Sequence, residues 1–80
     1  MKVQVKLYAT LRDYAPRKCG IGEAFLFEVK DNTVRAILEK LSIPEEYARI
    51  VMVNGSRISD YSYKLDENDL VVIFPPIGGG

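Results

Sequence analysis

The sequence predicts an α+β fold: a mixed sheet of four to five strands with one main helix packed on one face. Three observations lead there. The first segment alternates apolar and polar residues, one segment alone has helical apolar spacing, and strand-like runs lie on both sides of it. Eighty residues hold a single domain with one compact core.

Residues 2–8, KVQVKLY, open the chain. Val3, Val5 and Leu7 point one way and Lys2, Gln4 and Lys6 the other, as in a strand with one buried face. ATLRDYAPRKCGIG follows as a connection, with one helical turn at residues 11–15 broken by Pro16 and Gly20. Residues 23–29, EAFLFEV, form a second strand with Phe25, Phe27 and Val29 on a shared face. Asp31, Asn32 and Thr33 then offer side-chain oxygens to the unpaired amides of a first helical turn. Val34, Ile37, Leu38 and Leu41 make one apolar stripe on a helix of about three turns.

IPEEYARI predicts a short second turn with Pro44 at its first position. A third strand, IVMVNG, ends in Asn54-Gly55, a hairpin pair because both residues tolerate positive φ. RISDYSYKL supplies a short edge strand and a loop, and DEND is a turn in which Asn68 takes a left-handed conformation. LVVIF, residues 70–74, is apolar throughout. That suits a central strand buried on both faces, or one face buried and one kept for a partner.

Composition excludes several functions. Lysine plus arginine and aspartate plus glutamate number 11 each, so no net charge draws the chain to nucleic acid or to an anionic membrane. No apolar run is long enough to span a bilayer and strand-like sequence begins at once, so a cytoplasmic protein is expected. Histidine is absent and Cys19 is the sole cysteine, which argues against a hydrolytic triad, a zinc site or an internal disulfide. Catalytic groups for any chemistry are expected from another protein, and no metal is expected.

The chain closes in VVIFPPIGGG. Pro75 and Pro76 cannot donate ladder hydrogen bonds, so they end the last strand and favour an extended, outward path. From Pro76 to Gly80 the extended reach is about 17 Å. Gly78, Gly79 and Gly80 bring no side chains, so they fit a narrow passage and leave the Gly80 carboxylate accessible. Read alone, such an end is a frayed terminus. Phe74 and Ile77, an aromatic at the strand exit and an aliphatic residue beyond it, read as partner anchors, against core packing and a chance apolar tail residue.

VKLYATLRDYA at the start, VNG in the middle and DENDLVVIFPPIGGG at the end resemble the molybdopterin synthase small subunit and, more loosely, the thiamine-pathway sulfur carrier, the MoaD/ThiS group. The Phe74-Pro75-Pro76 element favours the molybdopterin branch. Gly78 departs from the family, which usually carries a small or aliphatic residue before the glycine pair.

The resemblance implies the β-grasp fold of ubiquitin over residues 1–76, with first and last strands adjacent and parallel, and a flexible tail over 77–80. It implies that a ubiquitin-activating-like adenylyltransferase uses ATP to adenylate the Gly80 carboxyl, that sulfur then gives a thiocarboxylate, and that Gly79 gives access. The tail, with Phe74, Pro75, Pro76, Ile77 and Gly78 as binding residues, enters a partner such as the molybdopterin synthase large subunit. No cofactor is expected beyond the covalent acyl-adenylate and thiocarboxylate. Alternatives are a ubiquitin-like modifier joined through Gly80 to lysines, a carrier for another pathway such as thiamine, and a non-catalytic β-grasp interaction module. Arg12 and Cys19 read as an ordinary surface residue and an inert loop thiol. Arg57, Lys64, Asp66, Glu67 and Asp69 read as a solvated rim, with guidance of a basic partner near the tail exit as the lesser reading of the acidic cluster.

Overall fold

The computed structural model describes residues 1–76. Five strands form one sheet: β1 (Lys2–Leu7), β2 (Ala24–Glu28), β3 (Ile50–Val53), β4 (Ser56–Ile58) and β5 (Leu70–Phe74). Their order is β2-β1-β5-β3-β4. β1 and β5 are parallel at the centre, with Val5 beside Val71 and Leu7 beside Ile73. Every other pairing is antiparallel. This is the arrangement expected of the first and last strands, reached because β5 is apolar enough to sit between two neighbours.

The one α-helix among the described residues, α1 (Val34–Leu41), lays its stripe of Val34, Ile37, Leu38 and Leu41 against the sheet. Val3, Val5, Leu7, Phe25, Val51, Val53, Val71 and Ile73 meet it from the strands, and none of the described polar or charged residues is buried. Of the three candidate caps, Thr33 does the work: its Oγ1 accepts from the Ala36 N–H at 3.2 Å. Asn32 instead ties the loop before the last turn, accepting from the Leu65 N–H and donating to the Leu65 carbonyl. At eight residues the helix is about two turns long, not three. Ser42 stops it in a left-handed conformation at φ 63°, and the Ile43 N–H turns back to the Leu38 carbonyl at 2.9 Å.

The turns bear out their sequence signals. Asn54 and Gly55 take φ values of 51° and 87° in the β3–β4 hairpin, and Asn68 takes 68° before β5. Two boundaries move. The turn after β1 is a 3-10 turn over Ala9–Tyr14, earlier than expected, and Ala9 enters it at φ 53°. The other 3-10 turn is Glu45–Tyr47, with Pro44 just before it and not its first residue. Among the described residues no helix is long and apolar enough to cross a membrane.

Candidate functional site: the strand exit and the open face of the sheet

The pleat sends alternate residues of β5 to opposite sides. Val71 and Ile73 go into the core, while Leu70, Val72 and Phe74 face away from the helix and stay half-buried. Register decides what surrounds them. Val72 lies between Lys6 and Met52, and Phe74 lies beside Ile50. The open face is therefore apolar along β5 and β3 toward the end where the chain leaves the sheet. Lys6 and Arg57, which pairs with Met52, border it.

Phe74 is neither in the core nor free. Its ring stacks on Tyr8 with centroids 4.7 Å apart and planes 14° from parallel. The backbone repeats the link, since the Tyr8 N–H donates to the Ile73 carbonyl at 3.3 Å and the Arg49 N–H donates to the Phe74 carbonyl at 3.0 Å. The last residue of the strand is thus held from both neighbouring strands. Pro75 is half-buried and Pro76 exposed. Ile77, Gly78, Gly79 and Gly80 lie outside the described residues, so the roles expected of them rest on the sequence.

Tyr8 is the participant that sequence reasoning missed. Its signal was present: once β1 and β5 run parallel with Leu7 beside Ile73, the next residues, Tyr8 and Phe74, must be neighbours. Its hydroxyl also reaches the following loop, where a Cβ added to Gly22 would lie 3.7 Å from it.

The acidic cluster is at the surface, as its main reading has it, but its place removes the lesser reading of guidance at the tail exit. Asp66, Glu67 and Asp69 precede β5, so the full strand separates them from the exit. There Glu67 and Asp69 are structural acceptors. Asp69 accepts from the Asp66 N–H and the Asn54 amide, each at 2.8 Å, and Glu67 accepts from the Lys2 N–H at 3.3 Å. Cys19 is half-buried in the β1–β2 connection. Among the described residues no group of three or more His, Cys, Asp or Glu is placed to hold a metal ion.

Two other carboxylates are held below their usual range. Glu23 is lowered by the Gly20 N–H, which donates at 2.8 Å, and then by Arg17 at 3.3 Å. Asp60 is lowered by the Ser62 hydroxyl and then by the Ser62 N–H, at 2.7 and 2.9 Å.

The same architecture recurs in known structures. Subunit 1 or 2 of the Helicobacter pylori molybdopterin-converting factor, solved as a complex of the two, matches at 19% identity and a TM-score of 0.62, with both chains fully covered. The small archaeal modifier protein 1 of Haloferax volcanii matches at 23% and 0.65, covering 95% of this chain and 98% of that one. The HVO 2177 protein of the same organism matches at 23% and 0.73, covering all of this chain and 87% of that one. At these identities the likeness is one of fold. Among curated proteins none matches. The ThiS family model matches residues 5–80, nearly the whole sequence. With its β-grasp core and central last strand, the chain belongs to the ThiS family and has the ubiquitin-like fold.

Proposed function

We propose that Gly80 is the reacting residue and that the chain delivers sulfur for molybdopterin synthesis. The observation behind this reading is the exit itself. β5 is gripped by both neighbours up to Phe74, and the sequence beyond is two prolines, one aliphatic residue and three glycines. A carboxylate is a poor electrophile. In the proposed first step the Gly80 carboxylate attacks the α-phosphorus of ATP on an adenylyltransferase, giving an acyl-adenylate and releasing pyrophosphate. Hydrosulfide then displaces AMP and leaves a thiocarboxylate; a persulfide in its place gives an acyl disulfide, which a second thiol cleaves to the thiocarboxylate and a disulfide. Transfer of that sulfur to an acceptor, with water supplying the replacement oxygen, regenerates the carboxylate.

On this reading the chain is a donor, and catalytic groups come from its partners. The open face around Tyr8, Phe74, Ile50 and Val72 supports a partner docked beside the exit, because apolar surface there lies where the strand ends at Phe74. The likeness to one component of a two-subunit molybdopterin-converting factor supports a second subunit as that partner. A modifier role, with Gly80 joined to target lysines, is the second reading, favoured by the likeness to a small archaeal modifier protein.

The test is intact mass after incubation with ATP, a sulfur source and the cognate activating enzyme. Wild type should gain the mass of sulfur replacing oxygen. Removing Gly79 and Gly80 should abolish the gain while leaving the fold intact. Gly80→Ala should slow it, and Cys19→Ser should not change it. Unchanged wild-type mass with a persulfide on Cys19 overturns the mechanism, and lysine adducts in the native cell install the modifier reading.

A further inference from the structure

The connection between β1 and β2 forms an open concavity of about 420 Å³, lined by Ala9, Arg12, Asp13, Ala15, Arg17, Lys18 and Cys19. Three cations and one carboxylate therefore line it, on a chain with no net charge overall. Ala9 and Ala15 contribute only methyl groups to its wall. The cations are unevenly used. Arg17 contacts Glu23 at 3.3 Å and the Lys18 carbonyl at 3.4 Å. Arg12 and Lys18 have no acidic partner within 4.0 Å and no side-chain hydrogen bond among the described residues. Arg12, read from sequence as an ordinary surface side chain, is half-buried. Its guanidinium is a planar fork with donors to spare.

We propose that this concavity binds a multiply charged phosphate group, held by Arg12 and Lys18 and, secondarily, by Arg17. Concavity favours a small anion over a flat acidic protein surface, and the volume falls within the roughly 300–1,000 Å³ of small-ligand pockets. Forked guanidinium donors match phosphate oxygens. Asp13 repels such a ligand and Glu23 competes with it for Arg17, so the site predicts its own improvement. Glu23→Gln keeps an oxygen for the Gly20 N–H and removes the competing charge. The proposal does not use the C-terminal tail, so it stands or falls separately from sulfur transfer.

The experiment is amide and arginine-side-chain NMR on the full chain, titrated with inorganic pyrophosphate, then with ATP, then with a short oligoglutamate peptide. Pyrophosphate should give saturable shifts confined to the 9–23 segment. Arg12→Gln and Lys18→Gln should each weaken binding by about five- to tenfold, Glu23→Gln should tighten it about two- to fivefold, and added salt should weaken it. Equal response to ATP and pyrophosphate identifies the phosphates as the recognised group, and a stronger response to ATP identifies a nucleotide as their source. Shifts that fail to saturate, or that spread equally to Lys30, Lys40 and Lys64, overturn the proposal. So does a response to oligoglutamate alone. Variant spectra unchanged outside residues 8–23 separate lost binding from lost folding.

Discussion

One strand serves two masters in β5, and its two faces differ sharply. Val71 and Ile73 are fully buried against a core built by α1 and the neighbouring strands. Leu70, Val72 and Phe74, interleaved with them, stay half-buried on a face with no helix over it. Both sets are equally hydrophobic, so hydrophobicity does not distinguish them. What distinguishes them is whether the same chain supplies the covering layer. The lesson is that an all-apolar central strand in so small a domain holds surface the chain does not bury by itself.

The comparison is tested hardest on its buried side. Leu38→Ala, which opens a hole under the sheet, should cost about 2–5 kcal/mol in denaturant unfolding. That is a large part of the stability of a domain this small. A loss under about half a kcal/mol would mean the stripe does not pack as described. On the open side, Phe74→Ala should reverse the balance. Binding to a second subunit, measured by calorimetry, should fall by about 2 kcal/mol or more, the scale of an aromatic anchor. Unfolding should shift by less than for Leu38→Ala, because only the Tyr8 stack and partial burial are lost. Equal binding by mutant and wild type would return Phe74 to a purely structural role.

A smaller effect sharpens the contrast at the exit. Ala9 holds φ 53°, a conformation costly for any residue with a Cβ. Ala9→Gly should therefore raise stability by about 1 kcal/mol, read as a higher denaturant midpoint, and an unchanged or lower midpoint would show that the Cβ is needed. The smallest effect concerns pH. Glu23 and Asp60 titrate lower in the folded chain than when free. Their contributions are thus complete above the ordinary carboxylate range and vanish as pH falls through the lowered values. Carbon-detected NMR titration should find both midpoints below those of free residues. Ser62→Ala should move the Asp60 midpoint upward and leave Glu23 unchanged.

Much of the fold was legible because its signals are local. Alternation in KVQVKL, the stripe from Val34 to Leu41, and the paired φ-tolerant residues Asn54-Gly55 each specify their element without distant help. The helix came out too long because Ser42, with no glycine to mark it, adopts the left-handed stop. The part played by Tyr8 and the position of the acidic turn were not legible for a different reason. Their roles depend on which strand neighbours which, and on which end of β5 a residue occupies, neither of which is visible in a local window. Arg12 lines a hollow walled in part by two alanines, and a missing side chain leaves little trace in a pattern of apolar spacing.

The parallel pairing of β1 with β5 has a mechanical consequence. Lys2 begins β1 at one edge of the molecule and Phe74 ends β5 at the opposite edge, because parallel strands point the same way. Tension applied between the chain's start and its tail therefore runs along the strands. It shears the β1–β5 ladder, engaging Gln4–Leu70 through Leu7–Ile73 together, and does not peel one bond at a time. β3 grips β5 from its other side over four paired residues, Ile50 to Val53, and shares that tension. A pull on the end of β5 would therefore meet the strongest direction of the sheet.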